Sequence, residues 1–138
     1  MDNSFHFLLM ITQASVQRSI MHRLKNTGLT PGQPKVLEYL GEHNGARPGE
    51  IARSCHIEAP TLTSILNRME RDELIIRKAP PGDHRAVQVY MTEKGKVFQK
   101  RIVSEFASID DEALQGLSEA EKETFIKTLK TVYQNLQK

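Results

Sequence analysis

Between residues 59 and 71, short polar and cationic side chains recur at helical spacing: Pro60, Thr63, Ser64, Asn67 and Arg71, flanked by Thr61 and Arg68. At about 100° per residue these project from one side of a helix, while Leu62, Ile65, Leu66 and Met69 project from the other. The polar side carries no carboxylate, whereas a solvated helix face ordinarily mixes Glu with Lys. Hydroxyls, a carboxamide and guanidinium groups on an acid-free face suit a polyanion, because they can donate to phosphate oxygens and to base edges. Asp83-His84-Arg85 supplies a second cationic point, at the end of a loop of Pro and Gly. A flat guanidinium fits a narrow groove of negative potential, and Asp83 can orient Arg85 by a charge-assisted hydrogen bond. The plainer reading of that pair is a turn salt bridge, worth little at a surface.

Other chemistry finds few residues to carry it. No Ser/His/Asp order, Gly-rich phosphate loop or paired-carboxylate motif stands out, so no catalytic residue is assigned and no enzyme is expected. Asp110-Asp111-Glu112 is acidic, but consecutive helical positions point in different directions. His6, His22, His43, His56 and His84 lack a ligand spacing, and Cys55-His56 is a neighbouring pair, so neither a metal nor a cofactor is implied. A single cysteine excludes an internal disulfide and fits a reducing cytoplasm. At the turn between two short helices, Cys55 reads as a structural thiol before an oxidation sensor. No apolar run approaches the roughly 18–20 residues of a membrane span. The apolar start of the chain has no basic region before it and no small-residue cleavage site after it, which argues against a secretory signal.

The net charge of +2 is bland, but its distribution is not: residues 68–101 hold 9 Lys/Arg against 5 Asp/Glu, a balance of +4. A local basic surface matters more to a polyanion than the global total. At 138 residues, with 38% hydrophobic and 26% charged residues, the chain has the size and composition of one globular domain.

Several elements must hold these groups in place. Residues 4–26 read as a long helix with Phe5, Leu8, Leu9, Thr12, Val16, Ile20 and Leu24 on one stripe, stopped at Gly28. Phe7, Met10, Ile11 and Met21 add a second apolar face, which a partner subunit could cover. Thr30-Pro31 is expected to open a second helix through about His43, with proline in the first helical position. Pro48–Ser54 and Ala59–Arg71 follow as two short helices around a Cys55–Glu58 turn. Leu74–Lys78 and Ala86–Met91 read as strands of a hairpin around a Pro-Pro-Gly-Asp loop. Thr92 caps a helix over Glu93–Ala113, with Val97, Phe98, Ile102, Phe106 and Ile109 on its apolar side. Ser118 and Glu121 form a capping box for a last helix carrying Phe125, Leu129, Val132 and Leu136.

Helix, short helix, turn, helix and hairpin is the order of a winged helix-turn-helix, at roughly residues 47–92. Here the sequence resembles the MarR family of bacterial transcription regulators. The likeness rests on Asp83-x-Arg85-x-x-x-Val89-x-Met91-Thr92-x-x-Gly95, on Leu74-Ile75-x-Arg77 leading into the wing, and on Leu29-Thr30-Pro31-x-Gln33. Two positions depart from the family pattern: Glu73 stands where a Gly is usual, and Met91 where Leu is usual. The resemblance implies one mainly α domain over 1–138 with a small β-hairpin wing. Residues 30–92 would form the DNA-binding region, and 4–26 with 93–138 the dimerisation helices. It also implies a homodimer on a pseudo-palindromic operator, a repressor released by a small phenolic or anionic effector. Carried over, the DNA contacts fall on Thr61, Thr63, Ser64, Asn67 and Arg68 and on Arg85 of the wing, with Asp83 and Arg77 as wing support. Asn67 would read adenine, Arg68 guanine or phosphate, and the hydroxyls phosphate. An effector pocket is expected where the first, second and fifth helices meet the winged region, near His22 or Tyr39. The alternative from another class is a winged helix that binds a protein partner without DNA.

Overall fold

The computed structural model describes residues 2–137. In chain order the elements are α1 (Phe5–Arg23), α2 (Gln33–Glu42), α3 (Pro48–Cys55), α4 (Ala59–Arg71), β1 (Ile75–Lys78), a single 3-10 turn (His84–Ala86), β2 (Gln88–Met91), α5 (Glu93–Ala113) and α6 (Glu119–Asn135). Two compact units divide the chain, one up to Phe106 and one from Ala107 onward.

The first unit holds the main core. Val36, Leu37 and Leu40 of α2, Ile51 of α3, and Leu62, Leu66 and Met69 of α4 are buried together with Leu74, Ile75, Val89 and Ile102. Each helix contributes one stripe at three- and four-residue steps, as the spacing predicts. β1 and β2 pair antiparallel with Ile75 opposite Met91 and Arg77 opposite Val89. Ala46, between α2 and α3, adds an antiparallel bridge on the other edge of β2: Val89 N–H donates to its carbonyl at 2.8 Å, and Gly45 N–H donates to the Val89 carbonyl at 2.8 Å. Asn44 Oδ1 accepts from Met91 N–H, and Gln88 Nε2 donates to the Gly45 carbonyl, so both ends of β2 are tied to that segment.

Three features differ from the sequence-based expectation. α2 begins at Gln33 and not at Pro31, because Gly32 takes a left-handed φ of 93° that no helix accommodates. The Thr30 N–H instead donates to Gln33 Oε1 at 3.1 Å, closing a turn ahead of the helix. Among the described residues of α1 none is buried: Phe5, Leu9 and Met10 are exposed in this chain, and Ile20 is the α1 residue packed on the core. The uncovered apolar surface of α1 thus includes residues of the first stripe as well as the second. Val97 of α5 is likewise exposed, while Ile102 faces the core.

In the second unit, Ser118 Oγ accepts from Glu121 N–H and Glu121 Oε1 accepts from Ser118 N–H, the expected capping box. The Ser118 backbone N–H first, and the Ser118 side chain after it, hold the Glu121 carboxyl below its ordinary pKa. Phe125, Ile126 and Leu129 of α6, and Leu136 just after it, are exposed in the single chain.

Candidate nucleic-acid interface

α4 starts where Glu58 leaves extended backbone and Pro60 enters the first turn, a position that needs no N–H donor. Its sharp approach comes from α3. His56 adopts a left-handed φ of 53°, Ile57 N–H donates to the Ala52 carbonyl and His56 N–H to the Arg53 carbonyl. That pair of bonds is a Schellman ending, here made without glycine. With Leu62, Leu66 and Met69 buried, Thr61, Thr63, Ser64, Asn67, Arg68 and Arg71 are left exposed on the opposite face.

These residues differ in what they can offer. The Thr63 hydroxyl donates to the Ala59 carbonyl at 3.0 Å and the Ser64 hydroxyl to the Pro60 carbonyl at 3.3 Å. Both protons are thereby committed, and each oxygen faces out as an acceptor; donation to a phosphate requires the hydroxyl to rotate first. Arg68 is drawn along the helix to Asp72, Nε to Oδ2 at 3.6 Å. Glu70 borders the same face and was absent from the sequence-based inventory of it. Its charge is met by Arg77 of β1, whose Nη2 and Nε reach the two carboxylate oxygens at 3.0 and 3.3 Å. The Arg77 hydrogen bond holds the Glu70 carboxyl below its ordinary pKa. Arg77 Nη2 also donates to Asn67 Oδ1 at 2.8 Å. The wing-support residue is therefore a strut between hairpin and helix.

At the wing, Asp83 does not hold the Arg85 side chain. Its Oδ1 accepts from the Arg85 backbone N–H at 3.0 Å and caps the 3-10 turn. The expected orienting salt bridge is replaced by a turn lock, which leaves the Arg85 guanidinium exposed. Between the wing and the start of α3 lies an open cleft of about 780 Å³, lined by Arg47, Arg53, Arg77, His84 and Arg85 together with Glu50 and Glu70. Arg47 and Arg53 were not singled out from sequence; the available signal was a cation on either side of the Pro48 helix start, visible only once that helix is placed beside the wing.

A family model described as MarR family matches residues 27–86. The HTH-type transcriptional regulator MhqR of Bacillus subtilis is 31% identical over 134 residues, which are 95% of this chain and 92% of that protein. The chain belongs to the MarR family. A MarR family structure from Listeria monocytogenes complexed with a 26mer DNA superposes with a TM-score of 0.87 at 25% identity, covering 99% of this chain and 90% of that one. The repressor CouR bound to a 23-mer DNA duplex gives 0.83 at 25% identity, covering 94% and 92%. The observed fold is accordingly the family's winged helix-turn-helix.

The glycine of the MarR wing signature has a direct cause here. A Cβ on Gly95 would fall into the Leu74 carbonyl, which accepts from Thr92 N–H at 3.1 Å. Thr92 itself caps α5: its hydroxyl oxygen accepts from Gly95 N–H at 3.0 Å and its proton goes to the Glu73 carbonyl at 2.7 Å. Glu73, at the usual glycine position, is held at a left-handed φ of 62°.

Of the two residues placed near an effector pocket, His22 is exposed on α1 and Tyr39 faces a different cleft. Where α1, α2 and α5 meet there is a cleft of about 320 Å³, lined by Val16, Gln17, Ile20, Pro34, Lys35 and Phe106, among others, but by neither His22 nor Tyr39. Tyr39 stacks on His43 at 4.3 Å and accepts a hydrogen bond from Ser54. It lines a second cleft of about 650 Å³ that also reaches Cys55. Burial pushes the Cys55 thiol pKa up, which disfavours the reactive thiolate. No group of three or more metal-ligating side chains occurs among the described residues.

Proposed function

We propose that this protein is a repressor acting as a homodimer on a pseudo-palindromic operator. In this reading each α4 lies in the major groove and each Arg85 reaches the adjacent backbone or minor groove. It is a DNA-binding transcription regulator of the winged-helix type, as are the relatives it matches. The observation that carries the reading is the exposed face of Thr61, Thr63, Ser64, Asn67 and Arg68, whose bordering Glu70 carboxylate is paired with Arg77, beside a cleft holding four arginines. Thr61 and Arg68 supply phosphate contacts, Asn67 a base contact, and Arg47 and Arg53 join Arg85 as backbone cations. Among the described residues no helix is long and apolar enough to cross a membrane; a regulator that reads DNA would act in the cytoplasm. A small phenolic or anionic effector would occupy the cleft between α1, α2 and α5, whose lining holds both Lys35 and Glu38.

Fluorescence anisotropy on duplexes spanning the DNA upstream of the gene tests this. Specific binding should weaken steeply with salt, and Arg85→Ala should lower affinity on every sequence and flatten the salt slope by about 0.9 per lost phosphate contact. Unchanged affinity in Arg85→Ala removes the wing from the mechanism. Binding that ignores both sequence and salt favours the alternative, a winged helix that docks a protein.

A further inference from the structure

A guanidinium has only donors, so its contact with a carboxamide determines which end of the amide faces it. Arg77 Nη2 lies 2.8 Å from Asn67, and Oδ1 is therefore the end turned toward β1. Nδ2, with two N–H groups, is left as the outward end, without a partner among the described residues. The guanidinium is itself fixed, because Glu70 grips it through both carboxylate oxygens. Asn67 and Glu70 stand three residues apart on one side of α4, so a single side chain from the hairpin spans them.

We propose that Arg77 is a positioning residue that sets Asn67 as a double donor, so that α4 selects a base with two adjacent major-groove acceptors, the N7 and O6 of guanine, over adenine. This rests on the reading that α4 enters the major groove and deepens it. The bidentate adenine pairing needs Asn to accept from N6 while donating to N7. An Oδ1 turned into the Arg77–Glu70 pair is not presented to the groove, whereas guanine asks for donors alone. The same strut withholds Glu70, whose unpaired carboxylate would otherwise repel the phosphates beside it.

The test is selection from a randomised duplex library by the full-length protein, its Asn67→Ala, Asn67→Asp and Arg77→Met variants, each checked for fold by circular dichroism. Wild type should prefer guanine over adenine roughly 5- to 150-fold at one position of each half-site, the span expected of a bidentate contact. Asn67→Ala should erase that preference there and nowhere else. Arg77→Met should move the same position toward adenine by freeing Oδ1. Asn67→Asp keeps the Arg77 partner but lacks both N–H groups, so it should lose guanine there even if Arg77→Met fails to fold. Adenine at that position in wild type, or an Arg77→Met preference identical to wild type, overturns the proposal. An unaltered Asn67→Ala preference overturns it too while leaving operator binding intact; wild type that selects no sequence overturns the operator reading as well.

Discussion

Arg77 on β1 and Glu70 on α4 form a two-pronged ion pair, with Nη2 to Oε1 at 3.0 Å and Nε to Oε2 at 3.3 Å. It joins the wing to the helix that precedes it through side chains alone, and its strength depends on the charge of Glu70. A carboxylate with a folded-state pKa below its unfolded value adds stability that is fully present above the unfolded pKa. That stability is lost as pH falls through the folded pKa. Glu70 has its pKa lowered in this way, so the strut is intact at neutral pH and opens only below the ordinary glutamate range, about 4.3. Because the Glu70 side chain is 43% exposed, the pair contributes at most about 1 kcal/mol. Carbon-detected NMR of the Glu70 carboxyl should show a midpoint below that of a free glutamate, and Arg77→Met should bring it back up; a midpoint unaffected by Arg77→Met would sink this account.

Glu73 stands in a left-handed conformation that costs an L side chain more than glycine. Glu73→Gly should raise stability by about 0.5–1 kcal/mol, the gain being trimmed by the greater freedom of glycine in the unfolded chain. The Thr92 bond to the Glu73 carbonyl is kept in the variant. Urea denaturation should show a higher midpoint with an unchanged slope.

At Gly95 the direction reverses. Gly95→Ala drives a methyl into the Leu74 carbonyl at the junction of hairpin and α5. Overpacking of this kind costs about 1–3 kcal/mol, and here the obstacle is backbone, which cannot rotate aside. A Tm equal to wild type would show that α5 can shift away from Leu74.

Oligomeric state follows from two apolar surfaces, each exposed in the single chain: Phe5, Leu9 and Met10 on α1, and Phe125, Ile126 and Leu129 on α6. Patches of this kind mark association. Light scattering at micromolar concentration should give twice the chain mass, and Met10→Asp, at a residue 66% exposed, should lower it with helix content kept. A monomeric mass for wild type would remove the symmetric pair from the proposed mechanism.

The parts of this fold written in short-range pattern could be read from sequence. α4 and α5 follow the placed boundaries because their apolar stripes and flanking Pro60 and Thr92 act within a few residues. The Ser118–Glu121 box is likewise local. What escaped is what joins distant segments. Asp83 was assigned to the Arg85 side chain because spacing cannot distinguish a side-chain donor from a backbone N–H two residues away. The Arg77–Asn67 contact and the placing of Arg47 and Arg53 opposite the wing depend on how the hairpin folds over α3 and α4. Tyr39 carried no local mark of which cleft it would face.

The bridge between Ala46 and Val89 bears on how such a reader can be switched. Because the segment ahead of α3 is a hydrogen-bonded neighbour of β2, and Arg77 fastens β1 to α4, the hairpin has no hinge of its own at its base. In the proposed homodimeric repressor, a signal that moved helix and wing together would alter the span between two such units along a duplex more than the grip of each. Control would then act as a change of gauge, with the lettering of each half-site left untouched.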